Sequence, residues 1–350
     1  MGWSCAACAG ATGESARSVL AEAKESGSAP VPAAAGREGA VAIPFRPPDR
    51  SGSAYRIVLE TGGEREVDSP QSAAPIERQE ESHLLELEYT ELPTDAPRDV
   101  AGAYLVRLDG LHYRLLQSEP KAEREIEIAD DRLRVMAGKK EGMDLRGAQP
   151  SGDLTPRKVL GEIFGLIAHD GMGEPVVIQP LGVLVARNLL RELPVRQALA
   201  WTRLPLPQEV VTPGARWHAV RFPADPVGAA GLGLDVSYTL AGFANLEGVP
   251  CAWIALEATL DASDIASAVG FRFDRAVASV QGEAWVELAT SRVKRMVVTN
   301  EARASYRRGA APAPVVEHRL RYRGRTVMES RDPAEKPTHW ADGSERFGRR

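Results

Sequence analysis

The chain has 350 residues, 43% of them hydrophobic and 26% charged, with a net charge of −5. That length holds one large domain or two medium ones. The lack of a basic excess excludes a dedicated nucleic-acid binder, and no run nears the roughly 18 apolar residues of a membrane-spanning helix. Three cysteines are too few for a disulfide framework.

Residues 1–50 are dominated by Ala, Gly, Ser, Pro and charge. Such a segment cannot bury enough apolar surface to offset its ordering entropy, so it is expected to be a disordered leader and tether. Within it, Cys5-Ala6-Ala7-Cys8 has the C-x-x-C spacing. A redox pair needs a helix N-terminus and a βαβ setting, and a zinc half-site needs two further ligands. Neither requirement is met nearby. Ala6-Ala7-Cys8 instead resembles the end of a bacterial lipoprotein signal, with Cys8 as the lipid attachment site. Cys5 stands where Leu is usual, and the basic and apolar regions of such a signal do not precede it. The expectation is that they lie upstream of the given start; the competing reading is a leader with two exposed thiols.

Short segments of alternating polarity follow, the period-2 pattern of half-buried strands. They are Tyr55–Glu60, Leu84–Glu91, Ala103–Leu108, Tyr113–Gln117, Glu125–Ile128 and Leu133–Ala137. The polar stretch Asp68–Glu81 reads as a loop, and Asp109–Gly110 as a hairpin turn. In the middle, Thr155, Pro156 and Gly171 supply start and stop signals for a helix over 155–170, with an apolar stripe from Val159 to Ile167. His169 would then sit in its last turn. A second helical pattern around Pro194 precedes the strands Trp217–Phe222, Leu234–Gly242, Cys251–Thr259, Ala276–Ala289, Arg292–Tyr306 and Val315–Met328. The tail 331–350 is polar. The expected fold is α+β, mainly β: a large curved antiparallel sheet, an incomplete barrel, with one or two covering helices. A single domain over 51–330 is expected, with lobes 51–150 and 175–330 joined by the 155–170 helix.

No nucleophile, base or metal motif survives inspection. Ser118–Lys121 and Ser291–Lys294 have the S-x-x-K spacing, but the first contains Pro120 and the second lies in a predicted strand. The Gly-rich run Gly228–Asp235 precedes a strand, whereas a phosphate cradle needs a helix N-terminus. The six histidines are scattered. No cofactor and no catalytic residue is therefore expected. Arg319, Arg321, Arg323 and Arg325 alternate in a predicted strand and would all project from one face. That ladder suits an anionic surface or, as the plainer reading, a solvated outer sheet face paired with the acidic run Glu125–Asp131.

The stretches "LPLPQEVVTPGARW", "YTLAGFANLEGVPCAWIALEAT" and "GEAWVELATSRVKRMVVTNEARASY" lie between Leu204 and Tyr306. This region resembles a group of uncharacterised secreted or lipid-anchored bacterial envelope proteins, with Pro213, Gly214, Trp217, Gly248 and Gly282 at the matching positions. It is also similar to the curved, incomplete barrels of lipoprotein carriers, which wrap an apolar groove. The resemblance implies a periplasmic or outer-membrane, lipid-anchored protein; without an upstream signal the protein would be cytoplasmic. A sheet that coils without closing leaves a concave apolar side, so the expected function is non-enzymatic: the binding of an apolar or amphipathic ligand, such as a lipid, or of an envelope partner. Trp217, Phe243, Trp253 and Trp285 are the expected lining residues. The alternatives are a scaffold whose groove is plugged by its own helix 155–170, and a hydrolase assembled from distant loops.

Overall fold

The computed structural model describes residues 39–44, 46, 52–68, 77–95, 100–118, 121–129, 132–137, 140–146, 160–161, 163–171, 175–181, 195, 198–199, 203–221, 233–266, 272–308 and 316–332. Cys5, Cys8, Thr155, Pro156 and the tail beyond Asp332 lie outside them. The chain divides into Met1–Val31 and Pro32–Arg350, and all described residues belong to the second unit.

Long strands dominate. The strands β1 (Val41–Ala42), β2 (Ser53–Asp68), β3 (Glu77–Pro93), β4 (Gly102–Gln117), β5 (Ala122–Ala129), β6 (Arg132–Ala137), β7 (Lys140–Arg146), β8 (Ile163–His169) and β9 (Pro175–Pro180) come first. They are followed by β10 (Val210–Val211), β11 (Arg216–Arg221), β12 (Leu234–Leu246), β13 (Val249–Ala266), β14 (Arg272–Glu287), β15 (Val293–Arg308) and β16 (Val316–Arg331). All but β1 and β10 join one antiparallel sheet in the order β11-β12-β13-β14-β15-β16-β2-β3-β4-β5-β6-β7, with β8 and β9 branching from β4. The last strand thus pairs with the first long one.

One side of this sheet carries a continuous apolar row. A single row of cross-strand partners runs Leu240, Ile254, Ala284, Met296, Met328, Ile57, Leu87, Leu111, Ile128. Every member is at most 1% exposed. Alternation then places Arg319, Arg321, Arg323 and Arg325 on the opposite, outer face, with Leu320, Tyr322 and Thr326 inward.

The sheet curls around its apolar side. Arg203 forms an ion pair with Glu91 of β3, while Trp217 of β11 donates its indole N–H to the Pro205 carbonyl at 2.7 Å. In a flat sheet β11 and β3 would be seven strand spacings apart, roughly 34 Å. Residues 203 and 205 are at most about 7 Å apart along the chain. Only a strongly coiled sheet lets one short segment hold both. The sheet nevertheless stays open, with β11 and β7 as its ends.

Several expectations are corrected. Ile163–His169 is a strand, not part of a 155–170 helix: Gly102–Arg107 of β4 pairs with it, and Phe164, Ile167 and Ala168 are buried. Its near-continuous apolar run fits a strand covered on both faces as well as it fits a helix stripe. His169 therefore ends a strand. It stacks on Tyr104 at 6.0 Å, and its Nδ1–H donates to the Asp170 carbonyl at 2.8 Å. Helical conformation is seen at Val195, Ala198 and Leu199, all buried, within the second predicted helical pattern. Asp109–Gly110 is no hairpin turn, since β4 runs through it and the β3–β4 register shifts there as a bulge. The loop expected at Asp68–Glu81 is shorter, because β3 begins at Glu77. The leader is not all tether: Val41–Ala42 pairs with Val210–Val211, and Ile43 is fully buried.

One turn and one mid-strand glycine explain the register of the later strands. Glu247 (φ 53°) and Gly248 (φ 84°) form the two-residue β12–β13 turn, the left-handed pair that matches strand twist. Gly282 lies mid-strand in β14 rather than starting it. A Cβ there would stand 2.6 Å from the Val297 carbonyl oxygen, so only glycine permits that close strand approach.

Candidate functional site

The inner face is the natural candidate, and its occupant is the chain itself. Ile43, Val195, Ala198, Leu199, Leu204 and Leu206 belong to the same buried cluster as the inward side chains of β2–β4 and β12–β16. Of the expected Val159–Ile167 stripe, Phe164 and Ile167 join this cluster from strand β8 rather than from a covering helix. Val195, Ala198, Leu199 and the run Arg203–Leu206, together called the strap, cover the inner face.

The strap carries a charge into this apolar setting. Arg203 is 7% exposed and Glu91 3%. Besides the ion pair, the guanidinium carbon lies 4.4 Å from the centre of the Tyr104 ring. Burial pushes the Tyr104 hydroxyl well above its ordinary range, with smaller pushes from Tyr89 and Tyr55. Tyr55 is raised too, by burial, against the opposing charges of Arg203 and Arg292. Nearby, Arg221 of β11 donates from Nε to the Tyr238 hydroxyl at 3.0 Å. A cleft of about 30 Å³ opens beside the strap, lined by Arg46, Ser53, Tyr55, Glu91, Arg203 and residues 291–293 among others. It exceeds the roughly 10–15 Å³ that a water needs but is about a tenth of an ordinary ligand pocket.

The four expected lining residues divide between the two faces. Trp217 and Phe243 are inward: Trp217 stacks on Tyr238 at 6.0 Å and 13°, and Phe243 is 6% exposed within the core cluster. Trp253 and Trp285 face each other across β13 and β14 on the other side of the sheet. Trp285 is 2% exposed, and neither indole N–H has a hydrogen-bond partner among the described residues. Parity explains the split. Ile254 and Leu256 set the inward side of β13, so Trp253 must project outward, while a bulge between Leu240 and Gly242 returns Phe243 to the core.

The arginine ladder is interleaved with acid. Arg319 meets Asp68 at 2.9 Å, Arg323 meets Glu301 at 3.1 Å and Arg325 meets Glu60 at 3.9 Å. Its strand pairs with β15 and β2, not with the run Glu125–Asp131. That run instead contributes to a second polar cluster on the outer face. His112 donates from Nδ1 to Glu86 at 3.1 Å and from Nε2 to Glu125 at 3.2 Å, and both acceptors are carboxylates, so both ring nitrogens carry protons. Burial alone would push His112 down, but the hydrogen bonds to Glu125 and Glu86 outweigh it and raise its pKa to about 9. Burial pushes Glu86 up, yet His112 and Arg56 together hold it below the usual range, and Glu125 is lowered chiefly by the His112 hydrogen bond.

No group of three or more His, Cys, Asp or Glu side chains poised for a metal occurs among the described residues. Cys251 is buried and free, and burial raises its thiol to about 11, which removes it as a nucleophile. Sequence reasoning missed Arg203 and Glu91. The one available signal was an arginine alone in the apolar, proline-flanked run "LAWTRLPLP".

No protein-family model matches the chain. No curated protein matches it either. Among solved structures, one of lipovitellin, described as showing lipid–protein interactions, overlaps 85% of this chain at 9% identity and a TM-score of 0.33. The chain spans 27% of that protein's length. Pseudomonas aeruginosa OpdQ overlaps 80% of this chain and 98% of its own at 10% identity and a TM-score of 0.17, and P. aeruginosa OccK5 (OpdH) overlaps 78% and 98% at 8% and 0.15. Superpositions this loose establish neither a family nor an activity.

Proposed function

We propose that the protein is a non-enzymatic binding protein of the bacterial cell envelope, which takes an apolar or amphipathic ligand on the inner face of its coiled sheet. The observation that carries this reading is the cover of that face. A sheet of 14 strands has an unbroken apolar row, yet among the described residues its cover beyond the strands is Ile43 and a strap that carries a charge. Among the described residues the strap is held by five buried apolar side chains, an ion pair and an indole hydrogen bond, a smaller obstacle to a ligand than a second packed layer. Trp217 and Phe243 remain the proposed contacts. Trp253 and Trp285 are set aside, because they face the other way.

The scaffold reading, in which the strap never leaves, is favoured by one observation: the cleft beside the strap holds only about 30 Å³. Titration of the purified protein with a fluorescent fatty acid, read by energy transfer from tryptophan, separates the two. Saturable transfer that Trp217→Leu reduces supports the binding protein, and no transfer at any concentration supports the scaffold.

Location is part of the proposal, and Cys8 is its anchor. Expression with the native upstream region, followed by metabolic labelling with a fatty acid, should label the protein and fail to label Cys8→Ser. The outer arginine ladder is read as a solvated charged face, since acidic partners offset the charges that an anionic surface would need.

A further inference from the structure

The polar cleft beside the strap has more positive than negative charge, and the apolar role of the inner face does not require it. Three guanidiniums line it at different depths: Arg203 on the buried side, Arg292 half-buried and Arg46 exposed. Against them stands Glu91 in the lining, with Glu287 beside it on the β14–β15 turn, where it accepts from Thr290 at 2.7 Å. Glu91 is taken up by Arg203. Arg46 uses one N–H on the Ala289 carbonyl at 3.1 Å, which leaves most of its five donors.

A second, independent feature points to a ligand. Ser291 lines the same cleft, is 4% exposed, and its hydroxyl has no hydrogen-bond partner among the described residues. It also holds a left-handed backbone at φ 57°, which is unfavourable for serine. A buried hydroxyl without a partner costs about as much as a lost hydrogen bond. Glycine at 291 would relieve both costs. A strained residue with an orphaned donor is a signature of a binding position.

We infer that this cleft binds an oxyanion, a phosphate or carboxylate group, with one oxygen in the 30 Å³ recess against Ser291 and Arg203 and the others between Arg46 and Arg292 at the mouth. Planar guanidiniums suit such groups because they donate paired N–H bonds in a fixed fork. The inference deepens the proposed function and rests on it for the amphipathic ligand: the apolar tail belongs to the inner face, and the oxyanion is its headgroup. The same chemistry could come from a free anion, so the test separates the sources.

Calorimetric titration of the full chain uses three probes: inorganic phosphate, dodecyl phosphate and the neutral dodecyl maltoside. The expected result is that dodecyl phosphate binds at least tenfold more tightly than dodecyl maltoside. Arg46→Ala should remove about that preference, since the side chain is exposed and its loss leaves the core intact. Ser291→Gly should weaken dodecyl phosphate several-fold while raising the melting temperature, a combination that a structural serine would not give. Inorganic phosphate that binds while both amphiphiles fail supports the cleft as a site for a free anion and overturns the groove. Equal binding of the two amphiphiles, unaffected by Arg46→Ala and Ser291→Gly, overturns the oxyanion site and leaves the groove standing. No binding of any probe overturns both.

Discussion

Arginine stands on both faces of one sheet, under different physics. On the inner side, Arg203 and Glu91 form a pair with side chains 7% and 4% exposed. On the outer side, Arg323 and Glu301 sit 3.1 Å apart with side chains 51% and 54% exposed. The contacts look alike in a list of ion pairs, yet water screens the outer one and is nearly absent from the inner one. Removing any one ladder arginine therefore costs the fold less than removing the arginine of the strap. What the comparison teaches is that a charge matters here through what would be stranded if its partner left.

The sharpest way to break it is to remove one inner partner. Arg203→Met leaves Glu91 buried and uncompensated and should cost about 3–5 kcal/mol in urea unfolding. Adding Glu91→Leu should recover most of that loss, because two apolar groups replace two charges. A double variant as unstable as the single one would show that the strap is held by packing alone. Truncation in the inner row itself sets the scale: Leu87→Ala, at a fully buried position, should cost about 2–5 kcal/mol by the same measurement.

The His112 triad is an intermediate case, outward yet buried. Its folded pKa of about 9 lies above the ordinary 6.5, so its stabilisation is complete below pH 6.5 and is lost as pH rises through about 9. Glu86 and Glu125 are lowered, so theirs is present above about pH 4.5 and lost on acidification. The melting temperature should therefore plateau between about pH 4.5 and 6.5. His112→Gln should flatten the alkaline decline, removing roughly 2–3 kcal/mol at pH 6. At the small end, Arg323→Ala should change stability by less than about 1 kcal/mol, and by still less in 1 M salt.

The alternation in β2–β4 and β12–β16 was readable because one face is wet and the other dry, which writes a period of two into the residues. Where both faces are covered that contrast disappears, and Ile163–His169 then reads equally well as a helix stripe. Bulges are a second blind spot. The register shifts at Asp109 and Gly242 come from pairing, and nothing in "LDG" or "LAGF" specifies them. The site was harder still, since Arg46, Glu91, Arg203 and Ser291 are brought together only by the coiling of the whole sheet. By contrast, the face occupied by the arginine ladder follows from parity alone, and Leu320 and Tyr322 confirm it from the buried side.

The pairing of β16 with β2 has a consequence in time. Arg331 lies opposite Ala54 and Glu317 opposite Asp68, so the central seam of the sheet joins segments some 250 residues or more apart. At about 5–20 residues per second of synthesis, β2 waits roughly 10–50 s for its neighbour to be made. Until then one of its edges offers unpaired backbone groups to any other strand. Contacts so distant in the chain also make folding slow after synthesis ends. The nascent chain therefore spends much of its early life as an incomplete sheet, in the form that chaperones hold.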